Sequence, residues 1–185
     1  HTLSLHDALP ISSDAGAVPL EKYRDVTNEF VVPHSTAKHA RWHRNSYFVG
    51  ALARVNNNFD LLHPEARAAA EALGFATPCY NPFMNNVAQV LETAHCVWDG
   101  CDILDDLLAN GVVREDFRVE PKAGRGIGVV AAPRGILFHD YEYDDSGRIV
   151  KANCVIPTNQ NHESIEDDMR ELVPQMLDRS ESQDE

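Results

Sequence analysis

The sequence predicts an α+β chain that is mainly helical and ends in a C-terminal β-hairpin. A long run from Met84 to Asn110 carries Met84, Val87, Leu91, Ala94, Trp98, Cys101 and Leu108. These step by threes and fours except across the last interval, so they share one helical face. The period then changes. GILFHDYEY and RIVKANCVI are β-type runs joined by Asp144-Asp145-Ser146-Gly147, turn chemistry that reads as a hairpin. A third pattern, Ile165, Met169, Leu172, Val173 and Met176, returns to helical spacing behind Asn159 or Asn161 as cap.

Taken in chain order, the first segment is the least protein-like. HTLSLHDALPIS has no clear period and lacks the basic start, apolar run and small-residue site of a signal peptide. Thr2 to Ser12 matches the translation of a common sequencing adapter. Residues 1–12 are therefore expected to be adapter-derived, to pack on nothing and to precede a partial domain at 13–178. Ser13 to Asn58 reads as irregular. A short Ala-rich helix is expected from Pro64, a good first-turn residue, to Leu73, with Gly74 as its stop. Residues 76–82 are turn-rich, and Gly111 ends the long helix. KAGRGIG, Lys122 to Gly128, reads as a Gly-rich turn. Pro174 should kink the last helix or end it early, and residues 179–185 form an acidic tail with nothing to bury.

The 185 residues are 43% hydrophobic, enough for one domain with a core. The net charge is −13, and Glu163 to Glu185 holds nine acids against two arginines. That balance excludes nucleic acid and lipid headgroups as partners, since both need cationic patches. No apolar stretch approaches the roughly 20 residues of a membrane span. The four cysteines form no C-x-x-C pair, which predicts reduced thiols in a cytoplasmic protein.

Several clusters invite chemistry. His34, His39 and His43 do not converge on a helix, and Lys38, Arg41 and Arg44 repel a divalent ion. A cationic loop meeting an anionic surface or subunit is favoured there. Cys96 and Cys101 lie about 140° apart on a helix and read as small buried residues without chemistry. GRGIG precedes a strand rather than a helix, so a tight turn is preferred to a phosphate loop. Pro133-Arg134 stands before a strand. It is either an ordinary surface ion pair or a way to aim a five-donor group into a cavity. Antiparallel pairing can bring Thr158 close to it.

The stretch AAPRGILFHDYEYDDSGRIVKANCVIPTNQN resembles the C-terminal active-site hairpin of the large subunit of nickel–iron hydrogenases. The pattern there is E-A-P-R-G, then H, then K/A-N, then P-T/S-x-Q-N. PHSTAKHARWHRNSYFVGALARVNNNFDLL and PCYNPFMNNVAQVLETAHC resemble other segments of that subunit, in the same order. The likeness covers Val18 to Met176 and is closest to the cytoplasmic branch that passes electrons towards NAD(P) or a deazaflavin.

The resemblance implies a partial large-subunit fold and the reversible conversion of H2 to two protons and two electrons. It implies a nickel–iron centre with cyanide and carbon monoxide ligands, held by two C-x-x-C pairs absent from this sequence. The chain itself is expected to hold no such centre and to be inactive alone. An iron–sulfur small subunit is the implied partner, with a flavin- and NAD(P)-binding module as a further one. Arg134 matches the arginine over the open metal positions and Pro133 its fixed neighbour. Thr158 matches the donor to a cyanide, and His139 a supporting histidine. Ala131 departs from the pattern, where a Glu is usual. The alternative is the quinone-site subunit of respiratory complex I, a non-catalytic relative that tends to have Lys in place of this Arg.

Overall fold

The computed structural model describes residues 2–6, 9–12 and 16–181. In chain order the elements begin with strands β1 (Thr2–His6), β2 (Leu9–Ser12) and β3 (Gly16–Ala17). A one-turn helix α1 (Tyr23–Val26) leads into β4 (Thr27–Phe30), β5 (His39–Trp42) and β6 (Phe48–Val49). Helices α2 (Ala51–Asn58), α3 (Pro64–Ala72) and α4 (Asn85–Asn110) follow. The chain closes with β7 (Gly124–Ala132), β8 (Gly135–Tyr143), β9 (Ile149–Val155) and helix α5 (Pro157–Glu181).

The α+β expectation holds, and the helix periods locate α4 and α5, although α5 begins at Pro157, so that the expected caps Asn159 and Asn161 lie inside it. Pro64 opens α3, Gly74 follows it at φ +64°, and Gly111 ends α4 at φ +76°. The β8–β9 hairpin forms where expected. The carboxylate of Asp144 accepts from the backbone N–H groups of Ser146 and Arg148, at 2.9 and 3.0 Å, and so shapes the turn.

Four expectations are corrected. The segment expected to pack on nothing is extended, and β1 pairs in parallel with Phe48 and Val49. An alternating Thr-Leu-Ser-Leu stretch is strand-like, and β6 offers an edge along which it pairs. GRGIG is no turn but the start of β7, whose partner is β8 throughout. Its glycines alternate with Arg125, Ile127 and Val129, and the last two pack against the core. Residues 27–58, read as irregular, contain the β4–β5 hairpin, β6 and α2. Finally, of the two outcomes expected at Pro174, early termination is overturned: α5 runs on to Glu181, at the loss of the bond that residue's N–H would have made. Of the expected acidic tail, residues 182–185 lie outside the described ones.

Two cores result. Tyr23, Trp42, Tyr47, Val49, Ile136, Phe138 and Val155 fill the space among the sheets. Leu52, Val55, Ala66, Ala70, Ala88 and Leu91 join α2, α3 and α4. Burying one such large side chain contributes about 1.5–3 kcal/mol. Only the first half of α4 is covered in this way. Cys96 and Cys101, expected to be buried, are exposed together with Trp98, Leu104 and Leu108.

The sheet core carries a carboxylate. Asp140, 4% exposed, takes two hydrogen bonds of 2.8 Å from Arg125, one of 2.9 Å from the Tyr23 hydroxyl, and an ion pair with Arg24. The Arg125 guanidinium lowers the Asp140 carboxyl to about 2, with Tyr23 and Arg24 adding to it against the cost of burial. A depressed folded-state value means stability that is complete above the unfolded value, near 3.8, and lost as pH falls from there towards 2. Asp140→Asn should therefore cost about 2 kcal/mol at neutral pH. The difference in urea midpoints between variant and wild type should shrink below about pH 4. A gap independent of pH would contradict this origin.

Candidate functional site

The β7–β8 connection is as short as a hairpin allows. Ala132 and Gly135 are paired, leaving Pro133 and Arg134 as the only loop residues. Proline fixes one backbone angle of the turn, and Gly135 adopts φ +147°, a region closed to most side chains. A sheet-anchored turn therefore projects Arg134 from a stiff base.

That base is held from two other elements. Arg54 of α2 spends its guanidinium on the turn and on α4. Its Nη1 donates to the Ala132 carbonyl at 2.7 Å and its Nη2 to the Pro133 carbonyl at 3.1 Å. Nε and Nη2 also grip both oxygens of Glu92, at 2.5 and 2.7 Å. Asn161 of α5 accepts from the Val49 backbone N–H at 2.8 Å and donates to the Arg134 carbonyl at 3.2 Å. Fully buried Gln160 donates to the Ile136 carbonyl at 2.5 Å. The P-T-N-Q-N stretch thus works as a splice between sheet and helix.

The sequence-predicted residues separate into two groups. Arg134 and Thr158 do meet: Nε of the arginine donates to the threonine Oγ1 at 3.1 Å. Among the described residues, the terminal Nη groups of Arg134 have no acceptor. Thr158 stands in the first turn of α5, whose N-terminus is the positive end of a 25-residue helix. The exposed spot is donor-rich and electropositive, and it suits an anionic or strongly hydrogen-bond-accepting group. His139 is elsewhere. Its Nδ1 bonds the Tyr141 hydroxyl at 2.8 Å and lies 3.7 Å from the Cys154 sulfur, with no bond to Arg134 or Thr158.

Sequence reasoning missed Arg54 and Glu92. A signal existed: Arg54 interrupts the buried run Ala51, Leu52, Ala53, Val55, and a charge in such company needs partners. Glu92 also places a carboxylate beside the turn, in a cleft that Ala131 lines as well. The cleft is open, about 710 Å³ in volume, and lined by Arg54, Glu92, His95 and Pro133 among others.

Of the cysteines only Cys96 lines the cleft, and the four do not converge on one point. Cys79 sits in a loop, Cys96 and Cys101 on exposed turns of α4, and Cys154 on β9. Among the described residues, no cluster of three possible metal ligands includes a cysteine.

This architecture is that of part of a nickel–iron hydrogenase large subunit. An NAD+-reducing nickel–iron hydrogenase in the H2-reduced state superposes with a TM-score of 0.63 at 24% identity, over 86% of this chain and 40% of that one. A nickel–iron–selenium hydrogenase variant from Desulfovibrio vulgaris Hildenborough gives 0.53 at 17% identity. In sequence, the chain is 40% identical over 162 residues to the alpha subunit of sulfhydrogenase 1 of Pyrococcus furiosus, covering 88% of itself and 38% of that protein. It is 34% identical over 157 residues to a vhu subunit of the F420-non-reducing hydrogenase of Methanocaldococcus jannaschii, covering 79% and 36%. The beta subunit of the NAD-reducing hydrogenase HoxS of Cupriavidus necator matches at 32% over 142 residues. The chain thus spans less than half the length of these relatives. No family model matches it.

Proposed function

We propose that this chain is part of the catalytic subunit of a nickel–iron hydrogenase, which converts H2 to two protons and two electrons and the reverse. The observation that carries this is the 40% identity, across 88% of the chain, to the alpha subunit of a sulfhydrogenase. The relatives reported above are hydrogenase subunits, which favours this reading over a quinone-site subunit. The expected partners are a small iron–sulfur subunit together with a flavin- and NAD(P)-binding module. A cytoplasmic place accords with the thiols and with the lack of any helix long and apolar enough to cross a membrane among the described residues.

The chain's own thiols do not converge and so do not fit as the ligand set of the nickel–iron centre. The centre's ligands are proposed to be two C-x-x-C pairs elsewhere in the subunit. Arg134 and Thr158 fit an outer position instead. When bound, the centre would supply the Lewis acidity that splits hydrogen. The protein's contribution is positional and electrostatic. Arg134 presents its Nη donors, from which no described residue accepts, to a fixed place, while Nε is spent on Thr158 to hold the fork in plane. Pro133, Arg54 and Asn161 keep the turn from moving. His139 is assigned a supporting role through the sheet, by its bonds to Tyr141 and Cys154, rather than by contact.

The exposed apolar residues of α4, Trp98, Leu104 and Leu108, support assignment to a larger subunit whose other segments cover them. The test is to express the complete subunit with its iron–sulfur partner in a maturing host. Stoichiometric nickel and H2-dependent dye reduction are expected. A complete subunit that loads no nickel and shows no exchange between D2 and water would defeat the proposal.

A further inference from the structure

The β4–β5 hairpin does more than its sequence suggests. Its loop folds against α5, and it places His34 and His39 beside Glu166, a residue 132 positions away from His34. The Nε2 of His34 lies 2.7 Å from Glu166 Oε1, and the Nε2 of His39 lies 3.4 Å from the same oxygen. All three ligand atoms fall within 4.8 Å of one another. His43, the third histidine of the sequence cluster, takes no part. It follows the strand at φ +55°, and its backbone N–H donates to Val26.

We propose that His34, His39 and Glu166 form a binding site for a divalent transition-metal ion that clips the β4–β5 loop to α5. The donor set is two imidazole nitrogens and one carboxylate, which suits Zn²⁺ and its neighbours with an open position left for water. Ligands at about 2.0–2.1 Å from a tetrahedral ion stand roughly 3.4 Å apart, so small side-chain rotations open the room. The site is also supported from behind. Arg170 donates to the other carboxylate oxygen of Glu166 at 3.0 Å, leaving Oε1 turned to the histidines. His39 is 3% exposed, and its ring is fenced by Phe30 and His162. The carbonyl of Lys38 can only accept, so His162 Nδ1 donates to it at 3.1 Å and holds that ring in place.

Charge was the objection to a metal in this loop, and the fold offsets it for Lys38 and Arg41, while Arg44 lies in the turn after β5. Lys38 pairs with Glu29 at 3.4 Å, Arg41 with Glu163, and Arg170 with Asp167 as well as Glu166. Each of these cations carries its own carboxylate. A protonated His34–Glu166 pair is the competing account, because it too satisfies the observed distances. It requires no ion and gains little at an exposed position, whereas an ion would bridge segments far apart in sequence. The cluster uses none of Arg134, Thr158 or the cysteines.

The test is Zn²⁺ titration of the full chain by calorimetry, with Co²⁺ as spectroscopic probe. One equivalent should bind with a dissociation constant of about 1 µM or tighter. Bound Co²⁺ should show d–d bands without thiolate charge transfer. His34→Ala and Glu166→Gln should each weaken binding by at least about tenfold. His34 is half-exposed, so its loss does not threaten folding. Glu171→Gln, which removes one negative charge from an exposed position of the same helix outside the cluster, should leave the affinity within about twofold. Saturating Zn²⁺ should raise the melting temperature of wild type and not of Glu166→Gln. No binding at about a hundred times that concentration, binding unaffected by both ligand variants, or a thiolate signature would each overturn the site.

Discussion

Arg134→Lys in the complete subunit is expected to leave nickel content unchanged and to cut hydrogen oxidation by roughly 10²–10³. Lysine keeps the charge, so assembly should survive. It cannot keep the geometry. In the structure Nε is committed to Thr158 while no described residue accepts from the Nη groups, a division of labour available to a planar fork with five donors. An ammonium offers a point charge on a flexible stem and would serve either Thr158 or the reacting position. Losing one preorganised donor at a reacting centre costs about 2.7–4 kcal/mol, which sets the expected range. Arg148→Lys, on an exposed residue beside the β8–β9 turn, is the control and should change little. Thr158→Val should give a smaller loss in the same direction, because it frees the fork without removing it. Wild-type turnover of the Arg134 variant at equal nickel content would return Arg134 to the status of a surface cation.

The architecture was readable where one physical signal acts alone. The apolar period of α4, Pro64 and Gly74 around α3, and the Asp144–Gly147 turn each depend on local chain chemistry. The strand β7 was missed because glycines occupy alternate positions and mute the contrast that marks a strand. Its facing residues, Arg125, Ile127 and Val129, still alternate. The meeting of Arg134 and Thr158 was legible because both flank paired strands. Arg54, Glu92 and Asn161 were not, since they come from α2, α4 and α5 and only tertiary packing assembles them. The same holds for His34, His39 and Glu166. Spacing within one segment argued against a metal there, but it could not foresee a carboxylate brought from another element.

Gly135→Ala is the substitution expected to harm the fold most, and it tests the support of the candidate site from a different side. At φ +147° an L side chain is strained, by about 1–3 kcal/mol. Space is lacking as well. A Cβ at residue 135 would come 2.3 Å from Val49 Cγ2, 2.7 Å from Val49 Cβ and 3.3 Å from Pro157 Cβ. Val49 cannot easily yield, because it is 1% exposed and its backbone N–H is bonded to Asn161. Overpacking of this kind adds about 1–3 kcal/mol, so a total of roughly 3 kcal/mol or more is expected in urea unfolding. The move would also shift the turn, since Gly135 follows Arg134 directly. Gly126→Ala is the comparison: nothing lies within 4 Å of its Cβ position, and its midpoint should hold or rise slightly. Val49→Ala should recover part of the Gly135→Ala loss, a positive coupling in a double-mutant cycle. Equal midpoints for the two alanine variants would mean that β6 and the Arg134 turn are not packed as described, and the positioning argument would fall with them.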